Sequence, residues 1–149
     1  MADVKQNVRR LAEEAYSKGN LGILEEVCAP KYVGHDPILG KTNLTQFKEG
    51  IEMLRKAFPD LKVQMNDYVV ENERVIGLWH CTGTQKGEFM GSPPSNKKFA
   101  IDGASYSRFD KSGKIVEGHL FYDVLNMAQQ IGIIPELGKG AGGRPQPRR

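Results

Sequence analysis

Glu117, His119, Phe121 and Asp123 alternate along the stretch GKIVEGHLFYD. Period two puts them on one face of a strand, and three of them titrate. A carboxylate and an imidazole could take a proton from carbon beside a carbonyl and give one to the oxyanion that develops. Such a positioned acid or base contributes roughly 10²- to 10⁴-fold, and burial in an apolar pocket moves both groups towards neutrality. Asp123 is the candidate acid or base and His119 its assistant, with Phe121 on the same wall. Strand rise separates the pair by about 13 Å, so a substrate rather than a hydrogen bond would have to connect them. A plainer alternative stands beside this: Asp123 caps the following helix and His119 faces solvent.

Other residues could contribute. Asp36, ahead of Pro37, suits an Asx-turn, with a ligand contact as the alternative. His80 shares one face of its strand with Ile76, Leu78 and Thr82, and Trp79 shares the other with Gly77 and Cys81. One of these faces should line a cavity; periodicity does not say which. Asp102 has the parity of Tyr106 and Arg108 and needs a basic partner or a pocket. Tyr16, Tyr32 and Tyr106 are possible pocket hydroxyls. The three histidines, His35, His80 and His119, show no HxH or HExxH spacing, so no zinc site and no metal is expected. Gly83, Gly87 and Gly91 lack the GK[ST] of a phosphate loop and more plausibly let the chain cross, with Phe89 and Met90 at a pocket rim. Cys81 has no evident base and reads as an inert thiol.

The elements that would position these groups follow from the period of the apolar residues. Val4, Val8, Leu11, Ala12 and Ala15 recur at helical spacing up to Gly19-Asn20. A short helix spans about Leu21 to Val27, and KYVGHDPILG reads as a loop. Thr42 or Asn43 caps a third helix with the stripe Leu44, Phe47, Ile51, Leu54 and Phe58, closed by Pro59. Beyond it the period falls to two. Strands are expected from Leu61 to Val70 and from Val75 to Thr84, the second apolar on both faces and so covered on both. Phe99 to Phe109 and the stretch after the DKSGK turn complete the strands, and a last short helix starts at Val124. Helices first and a mostly antiparallel run of strands afterwards argue an α+β fold.

Composition narrows the partners. The chain of 149 residues is 39% hydrophobic and 26% charged, as for one globular domain. The formal charge of +3 is carried by the segment 136–149, leaving residues 1–135 neutral. A nucleic-acid-binding face is therefore not expected. That Gly/Pro-rich basic segment, ELGKGAGGRPQPRR, reads as a disordered tail on a single domain over 1–135. Two cysteines without CxxC spacing, an amphipathic rather than leader-like start, and no apolar run near ~18 residues suggest a soluble, cytoplasmic protein with no membrane contact.

YVGHDP (32–37), AFPD (57–60), GTQKGEFMGSPPSNKK (83–98), DKSGKIVEGHLFYD (110–123) and QQIG (129–132) together resemble the SnoaL-like polyketide cyclases of the nuclear-transport-factor-two-like superfamily. The resemblance implies a cone-shaped, curved antiparallel sheet wrapped around the N-terminal helices and enclosing an apolar pocket. It also implies a homodimer formed through the outer sheet face. The implied activity is cofactor-free aldol cyclisation or isomerisation of a small apolar, carbonyl-bearing molecule. Relatives on this fold also include non-catalytic binders of small hydrophobic ligands. The family pattern has a carboxylate at the place of Asp123 and turns polar side chains of that strand into the pocket. It puts His35 near the pocket mouth as a ligand contact, and His80, Tyr16, Phe89, Met90, Asp102 and Phe121 are the further candidate ligand-binding residues. One departure stands out: where His119 and Leu120 stand, the family usually has Trp, often followed by Asp.

Overall fold

A computed structural model describes residues 3–135. The expected tail, 136–149, lies outside the described residues. Asp3 caps α1 (Val4–Arg10) by accepting from the Lys5 and Gln6 N–H groups. The helix runs on as a π-helical segment (Leu11–Ser17), a form of turn used sparingly and often beside functional sites. Then come α2 (Ile23–Val27), β1 (Cys28–Asp36), β2 (Gly40–Thr42), α3 (Leu44–Ala57), β3 (Lys62–Glu71), β4 (Arg74–Thr84), β5 (Lys98–Phe109), β6 (Ile115–Tyr122) and α4 (Val124–Gln130). Asn43 opens α3 with a capping box closed by Gln46, which satisfies two otherwise orphaned N–H groups.

The strands form one sheet in the order β2-β1-β6-β5-β4-β3. Only β1 and β6 pair in parallel; the other neighbours are antiparallel. Helices and curved sheet together give the expected α+β cone. No helix among the described residues is long and apolar enough to cross a membrane.

Two expectations are corrected here. KYVGHDPILG is not all loop, because β1 runs through to Asp36, paired with β2 on one side and β6 on the other. Nor is β4 covered on both faces. Val75, Trp79 and Cys81 are buried, while Ile76 and Leu78 on the opposite parity are 37% and 46% exposed.

Register then fixes every side chain's face. Gly103 pairs with Tyr122, Ser105 with Leu120 and Ser107 with Gly118, whereas Ala104 meets Phe121, Tyr106 meets His119 and Arg108 meets Glu117. The first set continues the buried parity of β5 (Phe99, Ile101, Ser107, Phe109). It therefore faces the helices, and Glu117, His119 and Phe121 face outward.

Candidate functional site

Between the helices and the inner sheet face lies an apolar cavity with about 90 Å³ of room for water-sized centres. One water needs about 10–15 Å³ by that measure, so a small organic molecule fits. Val8, Leu11, Phe47, Met65, Trp79 and Ile101 are among its apolar walls, and its polar groups are Asp36, Tyr16, Tyr32, Tyr122, Cys81, Ser105 and Ser107. Asp36 is the single carboxylate in the lining. His119 and Tyr106 border the cavity too, but strand alternation turns their rings away from it, leaving their main chain as the bordering part.

Each polar group is held by an identifiable device. Asp36 ends β1, and its Oδ1 accepts from the N–H groups of Ile38 (2.7 Å) and Leu39 (3.0 Å). This is the Asx-turn expected before Pro37. Among the described residues its Oδ2 makes no hydrogen bond. Tyr16 sits where the π-helical segment ends, and Arg55 of α3 donates to the Tyr16 and Ser17 carbonyls at 2.8 Å each. Tyr32 lies stacked on Phe47, with ring centroids 5.1 Å apart. Its hydroxyl passes over two glycines paired across β1 and β6, Gly34 and Gly118. A Cβ there would come within 2.8 and 2.7 Å of that oxygen, so both positions need glycine for this close approach. Tyr122 packs against Trp79, which lies over Gly103.

The electrostatics are those of a mainly apolar chamber around one acid. Burial pushes the Tyr16, Tyr32 and Tyr122 phenols above their usual range, and the Asp36 carboxylate adds to the effect at all three. At neutral pH they are therefore O–H donors, and among the described residues none of the three hydroxyls has a hydrogen-bond partner. Burial likewise pushes the Cys81 thiol up to about 12, which keeps it from acting as a nucleophile.

Several sequence-predicted residues lie elsewhere. Asp123 is exposed and its carboxylate accepts from the Asn126 N–H at 2.8 Å, capping α4. It is not among the cavity residues because β6 ends at Tyr122. His119, Phe121 and His35 belong to the outer sheet face. There the His35 and His119 rings stack at 4.0 Å and the His119 and Phe121 rings at 6.1 Å. Glu117 sits beneath them, 3.2 Å from His35 Nε2, 3.5 Å from His119 Nε2 and 3.4 Å from Arg108 Nε. The bond from His35, with help from Arg108, holds the Glu117 carboxyl below its usual range. His80 and Asp102 pair across strands on the same face at 2.8 Å. This leaves the Trp79–Cys81 parity to line the cavity. Phe89 is 2% exposed and packs edge-on against Phe58, inside the crossing that Gln85 ties down through the Gly87, Ser92 and Pro93 carbonyls. Met90 is 54% exposed and is not among the residues that line the cavity. Tyr16 does line the cavity.

Most of these differences have one physical cause. On β6 the inner parity is Gly118, Leu120 and Tyr122, and the titratable parity is the outer one. Tyr122 on that inner parity carries no expectation from the sequence, and Asp36, weighed there for an Asx-turn or a ligand contact, joins it in the cavity lining. Tyr32, Gly34 and Asp36 alternate in KYVGHDP, a period-two signal that was there to be read.

The chain matches the family model described as SnoaL-like polyketide cyclase over residues 6–131. It belongs to the SnoaL-like polyketide cyclase family. Solved structures agree. A proposed polyketide cyclase from Acidithiobacillus ferrooxidans is 27% identical with a TM-score of 0.77, covering 89% of this chain and 96% of its own. IdmH from Streptomyces antibioticus, also a proposed polyketide cyclase, is 26% identical at a TM-score of 0.77, over 88% and 99%. AclR from Streptomyces galilaeus, a proposed hydroxylase, is 24% identical at 0.80, over 93% and 87%, and shows the shared fold alone. No curated protein matches the chain. Leu120 of β6 faces the cavity with an apolar side chain.

Proposed function

We propose that this SnoaL-like protein binds a small apolar, carbonyl-bearing molecule in the cavity and enolises it without a cofactor, with Asp36 as the base. The observation that carries this reading is one carboxylate with an uncommitted oxygen beside three unpartnered phenol hydroxyls in an otherwise apolar chamber. Asp36 Oδ2 takes the proton from carbon next to the carbonyl, and the electron pair moves onto the carbonyl oxygen. A Tyr16, Tyr32 or Tyr122 O–H donates to that oxyanion, which is where preorganised donors help most. The enolate then attacks a second carbonyl, closing a ring whose new alkoxide takes the proton back from the acid that Asp36 has become, or, where a C=C is conjugated with it, is reprotonated by that acid at the γ-carbon. Leu120 supports a second reading, a binder of hydrophobic ligands that does not turn them over.

The two readings part on a simple assay. α-Proton exchange of 2-tetralone in D₂O, followed by proton NMR, should run faster with the protein than with buffer. Asp36→Asn keeps the Asx-turn acceptor and should lower that rate at least ~10-fold. Equal rates in the two proteins, or no acceleration by either, would leave only the binder.

A homodimer through the outer sheet face belongs to the same proposal. Exposed Ile76, Leu78 and Phe121 (60%) on that face support it. The two buried, free thiols, Cys28 and Cys81, are in keeping with a reducing, cytoplasmic setting.

A further inference from the structure

Sequence spacing argued against a metal, but the sheet assembles what the spacing hides. Glu117 and His119 are two apart on β6, and His35 lies directly beside His119 on parallel β1. A residue, its neighbour at i+2 and the laterally paired residue form the smallest triangle that one sheet face offers. Here one ring nitrogen each of His35 and His119 and a Glu117 oxygen all lie within 4.8 Å of one another. Among the described residues it is the one group of three such ligands so arranged.

We propose that His35, Glu117 and His119 bind a first-row divalent cation, Zn²⁺ foremost, on the outer face of the sheet. Tetrahedral arms of about 2.0–2.2 Å set ligand atoms about 3.3–3.6 Å apart. The two distances from Glu117 Oε2, 3.2 and 3.5 Å, are already of that size. The remaining movement is a tilt of the two rings towards each other, since parallel stacked rings aim their nitrogens side by side. Both rings are about one-third exposed, His35 36% and His119 32%, and so have room to tilt. Glu117 is oriented from behind: Arg108 Nε engages Oε1 at 3.4 Å, which leaves Oε2 for the cation. Two imidazoles and one carboxylate are a donor set for zinc or its neighbours rather than for Mg²⁺ or Ca²⁺, with at least one coordination position left to water. The bound ion would strap β1 to β6, the parallel pairing whose register is interrupted between Cys28 and Val33. His80 stands outside the group because Asp102 already engages it at 2.8 Å.

The test uses full-length, tag-free protein with CoCl₂ as a spectroscopic probe and ZnCl₂ as its competitor. One Co²⁺ per chain, a visible absorption band abolished by Zn²⁺, and a melting temperature that rises with Zn²⁺ are expected. His35→Ala, His119→Ala and the near-isosteric Glu117→Gln should each weaken binding at least ~10-fold and lose the rise in melting temperature. His80→Ala should bind as the wild type does. No binding up to about 1 mM, wild-type binding by Glu117→Gln, or one ion per two chains would each overturn the site.

Discussion

Asp36 and Asp123 are both carboxylates that accept backbone N–H groups just past a strand end, yet they differ in what surrounds them. Asp123 faces solvent and serves α4; Asp36 faces an apolar chamber and keeps one oxygen in reserve. A consequence follows for substitution. Asp123→Ala should cost about 1 kcal/mol of stability through the lost cap, while Asp123→Asn, which still caps, should cost a few tenths. Neither should change the exchange rate that Asp36→Asn removes. Urea denaturation and the tetralone assay measure the two effects separately, and a large rate loss in Asp123→Asn would return the chemistry to that residue. Tyrosine recognition behaves similarly. Tyr16 and Tyr32 are legible as possible pocket hydroxyls together with Tyr106, of which Tyr16 and Tyr32 turn their hydroxyls to the cavity, whereas Tyr122 stands beside the charged parity of its own strand.

At the level of elements, β6 was legible as a strand and illegible as a wall. Its alternation states that two faces differ but not which one looks at the helices. Usually the apolar face settles this, but Gly118 is nearly featureless and the outer face carries Phe121. The glycines hold the missing information. Gly118 and Gly34 make room for the Tyr32 hydroxyl, and Gly103 makes room for the Trp79 ring, which a Cβ there would strike. Gly103→Ala must therefore displace a buried ring and should cost about 1–3 kcal/mol, read as a lower urea midpoint. An unchanged midpoint would mean that the Trp79 ring does not lie flat on β5. The helices were easier. The capping box and the Phe47, Ile51 and Leu54 stripe of α3 state both where it starts and which side it buries. KYVGHDPILG misled because its Gly and Pro read as loop, while strand pairing from both sides overrode that preference.

For the whole molecule, order of elements and local motifs were enough to give the α+β cone and its family, since both depend on pattern over most of the chain. The site depends on which residues meet across strands distant in sequence. Register decides it: His35, His80, Asp102 and His119 lie on the outer sheet face, and Asp102 finds there the cross-strand base that its parity left as one of two alternatives. The resulting molecule has two dissimilar sheet faces, an inner one with phenols and one acid and an outer one with histidines and exposed aliphatics. Leu78→Asp on the outer face should give a monomer by sedimentation equilibrium where the wild type is a dimer. A wild-type monomer at the same concentration would remove that interface.

The central claim is that the inner face takes the ligand, and the protein carries its own reporter. Trp79 is its one tryptophan and lines the cavity. Titration with 2-tetralone should change Trp79 emission saturably, with one molecule bound per chain, and should do so equally in His80→Ala. An emission unchanged at saturating ketone, or a response that His80→Ala abolishes, would contradict a ligand site inside the cone.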